Sequence, residues 1–322
     1  MKKTFSIAAM ILVFAMVLAA CGGNNAKNSG AGNATPKASE TPAATEVVVK
    51  HQLGETKVKV NPSKVVVFDF GTLDTLDKLG VEVAAVPQKN VPAYLAKYKD
   101  TKYINAGGLK EPDFETIDGI SPELIIISGR QSAHYDALSE IAPTIFMGVD
   151  DANYMTSFAN NVNTLAEIFG KQAEAKVALA EVEASVKAVN EKATAAGKKG
   201  LIILSNEGKI SAYGPGSRFG IIHDVLGVTP VDATIKIDSH GNGVTFEYVA
   251  EKNPDYLFVI DRNAAMATES TAKETIENDL VKNTNAFKNG KIAYLDPQYW
   301  YLSGGGLVSV AAMVAEIDAA IK

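Results

Sequence analysis

The segment FETIDGISPELIIISGR, residues 114–130, decides the fold, because it recurs as FEYVAEKNPDYLFVIDR at residues 246–262. The two copies have equal length, and their Phe, Glu, Pro, following acid and final Arg coincide. Each predicts a short helix, a turn, a buried strand and an arginine just beyond the strand's carboxyl end. A generic helix–turn–strand unit explains the apolar core of the repeat, but it explains the paired Glu and Arg less easily. The repeat therefore indicates two α/β halves built alike.

Outside the repeat, other short apolar runs alternate with polar, helix-compatible stretches. This pattern is typical of mainly parallel sheets that are covered by helices. The predicted strands are Val65–Phe68, Leu124–Ile127, Thr144–Met147, Leu201–Leu204, Tyr256–Ile260 and Ile292–Leu295.

One long helix is predicted between the two halves, from Lys171 to Ala196. Gly170 and Gly197 bracket this stretch, which contains no Gly or Pro. Its apolar stripe has alternating spacings of four and three residues, through Ala175, Leu179, Val182, Val186, Val189 and Ala193. The sequence thus predicts two doubly wound α/β lobes bridged by a single long α-helix.

The amino-terminal region predicts export and lipid anchoring. Lys2 and Lys3 precede an apolar run, Phe5–Ala20, that is too short to span a bilayer comfortably. The run ends at Cys21, the only cysteine of the chain, in a Leu-Ala-Ala-Cys sequence that resembles the lipobox of bacterial lipoproteins. An ordinary signal peptide with an unmodified cysteine is the alternative. Residues 22–45 are small and polar, which favours a flexible tether.

These boundaries divide the chain into five predicted parts: a signal peptide (1–20), the lipidated cysteine and tether (21–45), an N-terminal lobe (46–170), the connecting helix (171–197) and a C-terminal lobe (198–322). The export signal and the lipobox predict a location on the outer face of the cytoplasmic membrane, with lipid as the only membrane contact. We also expect a monomer and a bacterial source of Gram-positive type. The net charge of −6 argues against a nucleic-acid partner.

Arginine is rare and specifically placed in this chain. Of 31 basic residues only Arg130, Arg218 and Arg262 are arginine. Two of them end the repeated strands, and Arg218 lies in a glycine-rich turn, residues 213–220. A surface cation needs no guanidinium, whereas bidentate binding of oxygens or stacking on an aromatic ring does. We expect a cleft for a ligand with about three negative charges and a flat aromatic surface; structural ion pairs are the alternative for any single arginine.

Four motifs together resemble the siderophore-binding lipoproteins of ferric-siderophore ABC importers, most of all the petrobactin and catecholate binders. The motifs are FDFGTLDTL at 68–76, SRFG at 217–220, VIDR at 259–262 and WYLSGGG at 300–306. The resemblance covers nearly all of the mature chain. It implies the class III periplasmic-binding-protein fold, a ferric catecholate as ligand rather than a resident cofactor, and a permease dimer as partner.

The resemblance also implies roles for individual residues. Arg130, Arg218 and Arg262 would surround the ferric complex, and Trp300 would belong to the pocket wall or to lobe packing. His240 and Tyr301 match residues that ligate iron in some relatives when the siderophore leaves coordination positions open; solvation of His240 and packing of Tyr301 are the alternatives.

The paired glutamates of the repeat receive a role in the same way. Glu115 and Glu247 match positions that dock onto permease arginines, one from each lobe. Ordinary first-turn helix acids, stabilised by the helix dipole, are the alternative.

Two rival functions follow from the residues. An exported hydrolase is disfavoured, because the sequence contains no Gly-x-Ser-x-Gly, no His-Glu-x-x-His and no phosphate loop. A binder of haem or another metal-containing cofactor would use Tyr301 or His240 as an axial ligand. We therefore predict a binding protein and no enzyme.

Overall fold

The computed structural model describes residues 45–269 and 272–322. The predicted signal peptide, Cys21 and all of the predicted tether except Thr45 lie outside the described residues. In the part that is described, no helix has the length and apolar character needed to cross a membrane.

The N-terminal half contains an antiparallel hairpin and a five-stranded, wholly parallel sheet. The hairpin pairs β1 (Glu46–His51) with β2 (Gly54–Lys59). The sheet has the strand order β5-β4-β3-β6-β7 and consists of β3 (Val65–Val67), β4 (Ala85–Val86), β5 (Ile104–Asn105), β6 (Leu124–Ile127) and β7 (Thr144–Phe146). Its helices are α1 (Phe70–Lys78), α2 (Phe114–Ile120), α3 (Tyr135–Ile141) and α4 (Tyr154–Phe169), with 3₁₀ segments at Gln88–Asn90, Ala93–Lys99, Gly129–His134 and Asp151–Asn153.

After the long helix α5 (Gln172–Ala196), the C-terminal half forms a second, mixed sheet. Its main order is β11-β9-β8-β12-β13, with β10 also on β8, and its strands are β8 (Lys199–Asn206), β9 (Lys209–Tyr213), β10 (Thr229–Pro230), β11 (Asn242–Val244), β12 (Tyr256–Asp261) and β13 (Ile292–Leu295). The predicted parallel pairing holds for β8, β10, β12 and β13, whereas β9 and β11 are antiparallel. The helices are α6 (Ile221–Asp224), α7 (Phe246–Lys252), α8 (Arg262–Ala265), α9 (Ala272–Ile276), α10 (Asn285–Lys288) and α11 (Leu307–Ala320), with a 3₁₀ segment at Val281–Asn283 and a π-helical turn at Gln298–Ser303.

The sequence repeat is a structural repeat. Helices α2 and α7 have seven residues each, and each ends at a left-handed residue, Ser121 with φ 51° or Asn253 with φ 44°. A proline and an acid then lead into β6 or β12, whose residues are all buried. In each copy of the repeat, the left-handed residue ends the helix and lets the backbone turn directly into the strand.

Helix α5 confirms the predicted long helix, beginning one residue later than expected and ending before Gly197, which is left-handed at φ 58°. The predicted stripe is buried except at Val186, which is half-buried. It joins a hydrophobic core shared with α4 and α11. The helix is therefore packed along both halves, and the described residues form one compact unit.

A close crossing of α1 and α11 also ties the halves together. Asp74 of α1 is fully buried and accepts hydrogen bonds from the main-chain N–H groups of Val308 (3.1 Å) and Ser309 (3.0 Å), in the first turn of α11. At the crossing a Cβ on Gly306 would lie 2.0 Å from Oδ1 of Asp74. The close approach of the two helices leaves no room for a side chain at that point, which therefore requires glycine.

Candidate functional site

Two of the three arginines follow the carboxyl ends of parallel strands, as the repeat predicted. Arg130 lies in the 3₁₀ segment after β6, and Arg262 begins α8 directly after β12. In the N-terminal sheet, β6 lies beside β3 where the strand order reverses. Ligands bind at such switch points of α/β sheets, outside the strand ends. The fold therefore places these cations where a ligand site is expected.

The third arginine is held by the glycine-rich turn after β9. The main-chain N–H of Gly216 donates to Oδ2 of Asp224 at 2.6 Å, and a Cβ on Gly220 would lie 2.7 Å from the same oxygen. Phe219 is buried edge-to-face against Tyr213, with ring centroids 4.7 Å apart. The turn is thus anchored on both sides of Arg218.

All three arginines converge on Tyr301, in the π-helical turn. Arg130 and Arg218 each donate from Nη2 to the main-chain carbonyl oxygen of Tyr301, at 2.5 and 2.6 Å. Arg262 donates from Nε to the Tyr301 hydroxyl at 3.1 Å. The structure thus brings the three arginine side chains together at one residue.

The guanidinium groups set the electrostatics of the tyrosine. Burial alone would raise the pKa of Tyr301, but the hydrogen bond from Arg262 and the charges of the three arginines outweigh it. The pKa of this phenol therefore lies below its ordinary value of 10. A lowered pKa favours the phenolate, which is a good ligand for a hard cation such as Fe(III).

Arg130 is half-buried, and its surroundings change its pKa. Burial, followed by the nearby charge of Arg218, lowers its pKa, while Asp69 opposes that shift. Asp69 caps α1 by accepting from the main-chain N–H of Thr72 at 2.7 Å, and burial raises its pKa. Among the residues that the structure describes, no carboxylate forms an ion pair with Arg130 or Arg218, so their guanidinium groups make a positive site for an anion.

Two cavities meet at the Arg130–Tyr301 contact. The first, of about 250 Å³, is lined by Arg130, Arg262 and Tyr301 together with Lys89 and Lys110. The second, of about 480 Å³, is lined by Arg130, Arg218, Tyr301 and Trp300. We call the two together the arginine cleft. All three arginines therefore line the arginine cleft.

Trp300 contributes to the cleft wall from the protein interior. It is 2% exposed, and its indole N–H donates to Oε2 of Glu316 at 2.6 Å. Trp300 therefore lies in the buried interior and also lines one cavity of the cleft.

His240, unlike the three arginines, has no hydrogen bond with Tyr301 in the described chain. It lies exposed between β10 and β11, and its main-chain N–H donates to Oδ1 of Asp238 at 2.8 Å. Its neighbour Ser239 lines the larger cavity, whereas His240 lines neither cavity of the cleft in the described chain. Across residues 45–269 and 272–322, no three His, Cys, Asp or Glu side chains gather to hold a metal ion. Iron ligation by His240 stays a prediction.

Glu115 and Glu247 occupy equivalent positions on the surface. Each is exposed in the first turn of its seven-residue helix, α2 or α7. Their placement on two matched helices is compatible with docking and also with dipole stabilisation.

Asn206 is a hydrogen-bond partner of Arg262 that the sequence did not reveal. It ends β8, beside β12, and its Oδ1 accepts a hydrogen bond from Nη1 of Arg262 at 2.9 Å. The signal available was its position at the carboxyl end of a predicted strand, but the prediction ended that strand at Leu204.

Residues 65–299 match the family described as periplasmic binding protein. The chain belongs to this family. This periplasmic binding protein is similar to petrobactin-binding protein YclQ of Bacillus subtilis (strain 168). The two chains are 50% identical over 319 residues, which cover 98% of each. It is 33% identical over 282 residues to ferric-anguibactin-binding protein FatB of Vibrio anguillarum, covering 86% of this chain and 88% of that one.

Solved structures agree with this assignment. The crystal structure of YclQ from Bacillus subtilis superposes with a TM-score of 0.85 at 52% identity, covering 86% of this chain and 99% of that chain. The catecholate-siderophore binding protein VctP of Vibrio cholerae gives a TM-score of 0.81 at 36% identity, covering 85% and 99%. The family resemblance and the fold class inferred from the sequence are confirmed, and both relatives are binding proteins rather than enzymes.

Proposed function

We propose that this periplasmic binding protein captures an anionic ferric-catecholate siderophore, of the petrobactin type, in the arginine cleft. The observation that carries the proposal is the convergence of Arg130, Arg218 and Arg262 on Tyr301. The similarity to petrobactin-binding and catecholate-binding proteins supports the same ligand class.

The chemistry of the ligand fits a cleft with these groups. Catecholate oxygens already satisfy Fe(III), so the protein supplies charge and shape rather than a complete ligand set. Planar guanidinium groups donate to the phenolate oxygens and stack on catechol rings. For a siderophore that leaves coordination positions open, Tyr301 and His240 would supply the missing oxygen and nitrogen ligands.

Anchoring and delivery complete the proposal. Lipid on Cys21 would hold the protein at the outer face of the cytoplasmic membrane, with residues 22–45 as its tether. Glu115 and Glu247 would each dock onto one subunit of an ABC permease dimer. The support for docking is that the two glutamates occupy equivalent exposed positions on matched helices.

Titration of the intrinsic fluorescence tests the ligand, because Trp300 is the only tryptophan of the chain and lines the cleft. Ferric petrobactin, ferric enterobactin, haemin and cyanocobalamin are titrated separately into the protein. We expect saturable quenching at submicromolar concentration by a ferric catecholate. Saturable quenching by haemin alone, or by none of the four, contradicts the proposal.

A further inference from the structure

A third cavity continues the arginine cleft. It has a volume of about 710 Å³ and shares five wall residues with the 480 Å³ cavity: Gln52, Phe146, Gly148, Val149 and Asp151. We call it the side cavity. A ligand held by the arginines can therefore extend past Asp151 into additional space.

The wall of the side cavity combines polar side chains with the apolar side chains of Phe146, Met147, Val149, Ala152 and Ile237. Its polar side chains are those of Lys50, His51, Gln52, Asp150, Asp151, Ser157, Asn160, Asn161 and Thr164. The amides, hydroxyls and carboxylates of this wall can hold a hydrated, polar group of a ligand.

Asp151 differs from Asp150 in the hydrogen bonding of its carboxylate. The Asp150 carboxylate caps the 3₁₀ segment by accepting from the main-chain N–H of Ala152 at 3.0 Å and from Nδ2 of Asn153 at 2.8 Å. The half-buried Asp151 carboxylate makes no hydrogen bond and no ion pair with any residue of the described chain. The Asp150 carboxylate is therefore occupied by local hydrogen bonds, whereas the Asp151 carboxylate is available to a ligand.

A free carboxylate opposes the charge of the cleft. Asp151 is close enough to Arg218 for that cation to counteract the rise in pKa that burial causes. For a ligand that is anionic throughout, this carboxylate weakens binding through like-charge repulsion. It favours binding only where the ligand presents a positive group beside its anionic core.

We propose that Asp151 binds a protonated amine on an arm of the siderophore and so selects amine-bearing ferric catecholates. The anionic iron core lies against the three arginines, and the arm passes Asp151 into the side cavity. This inference rests on the proposed function and deepens it by naming a ligand group and the residue that recognises it.

A thermodynamic cycle between protein and ligand tests the contact. One ligand is ferric petrobactin, whose arms carry protonated secondary amines, and the other is the same complex with those amines acetylated to neutral amides. For the unaltered protein we expect acetylation to weaken binding about tenfold, as for a partly desolvated charge-assisted pair. For Asp151→Asn, acetylation should change the affinity less than twofold.

The control is Asp136→Asn, which removes the same charge from an exposed position on α3, away from the cavities of the cleft. For this control variant, acetylation of the ligand should weaken binding about tenfold, as for the unaltered protein. Thermal unfolding should verify that both variants fold. Equal effects of acetylation on the unaltered protein and on Asp151→Asn overturn the inference while leaving the proposed function intact. Binding of neither ferric complex to the unaltered protein contradicts the proposed function itself.

If Asp151→Asn does not fold, the unaltered protein still decides the matter. Its affinity must fall when only the amines of the ligand are neutralised, since the Asp151 carboxylate is then left without a partner. Unchanged affinity for the acetylated complex overturns the inference without any variant.

Discussion

Arg218 lies over the ring of Tyr301, with its Cζ 4.4 Å from the ring centroid, and donates to the main-chain carbonyl of the same residue. Stacking and hydrogen bonding at once require a flat cation with donors in its plane. The ammonium of lysine is a compact point charge and cannot make both contacts in one geometry. The relationship explains why arginine occurs here in a chain whose other cations are nearly all lysine.

Replacement of Arg218 by lysine should therefore weaken ligand binding while retaining the positive charge. We expect the Kd for a ferric catecholate to rise about 10- to 100-fold, which corresponds to about 1.5–3 kcal/mol for hydrogen bonds to a charged group. Fluorescence titration of Trp300 measures the change.

Lys198→Arg provides the control for the reciprocal exchange at an exposed position between α5 and β8. It should leave both affinity and thermal unfolding unchanged. An Arg218→Lys protein with unaltered Kd would show that charge alone suffices at this position.

Tyr301→Phe should remove a phenol that ionises below its ordinary pKa of 10. A folded-state pKa below the unfolded value means that the unfolded state binds more protons, so this group adds stability as pH rises through its folded pKa. Ultraviolet difference absorbance should show an early phenolate step in the unaltered protein, absent in the variant. Identical titration curves for the two proteins would contradict the assignment.

The main features of the fold were predictable because they depend on local patterns. The stripe of α5 repeats at helical spacing, and β6 and β12 are continuous apolar runs between turn residues. Strand ends were harder to place. The β8 strand extends to Asn206 because it pairs with β12 from Gly200 to Ser205 and with β9 from Ile202 to Asn206, and pairing between separate segments leaves no local signal.

The site was predictable in part for a related reason. Arg130 and Arg262 stand out because they end repeated strands, and strand ends meet at one edge of a sheet. Asn206 and Asp151 carry no such mark, since an amide or carboxylate in a loop usually serves the turn itself. Only the tertiary structure shows that Asp150 caps its turn and Asp151 does not.

Asp74→Asn should change how stability depends on pH. Burial in the α1–α11 crossing, partly offset by hydrogen bonds from Ser309, Val308 and Tyr94, raises the pKa of Asp74 from 3.8 to about 7. The folded state then binds more protons than the unfolded state between these values, so Asp74 makes the protein less stable as pH rises from about 4 to 7. The full effect is on the order of 4 kcal/mol at 1.36 kcal/mol per pKa unit.

Urea unfolding at pH 5, 6, 7 and 8 measures this contribution as the difference between the unaltered protein and the variant. Asparagine does not titrate, so the variant should gain stability relative to the unaltered protein across the series. The exposed Asp136→Asn serves as the control for loss of a carboxylate. Parallel curves for Asp74→Asn and the unaltered protein would contradict the predicted titration.

Gly306→Ala should destabilise the crossing of the same two helices. Its Cβ would lie 2.0 Å from Oδ1 of Asp74 and 2.2 Å from the carbonyl oxygen of Gly71, and neither group is the end of a flexible side chain free to move. We expect a loss of about 3 kcal/mol or more in the free energy of unfolding, as for overpacking that also displaces a buried hydrogen-bonded carboxylate.

The matched control is Gly119→Ala in α2, where a Cβ meets nothing within 4 Å. Alanine in a helix there should stabilise by about 0.5–1 kcal/mol, because glycine costs more conformational entropy. Urea unfolding measures the free energy of unfolding of the two variants. Equal effects of both substitutions would show that α1 and α11 can move apart without loss of stability.

Glu115→Ala combined with Glu247→Ala should separate delivery from capture. Both side chains are exposed on matched helices, outside the two cavities of the arginine cleft, so ligand affinity should stay within twofold of its unaltered value. If each glutamate pairs with a permease arginine, loss of both should reduce siderophore-dependent iron uptake by cells at least tenfold, since charged contacts set the orientation of docking. Glu183→Ala on the exposed face of α5 removes a comparable charge and should leave uptake unchanged. Normal uptake by the double variant would mean that the two glutamates stabilise their helices through the dipole alone.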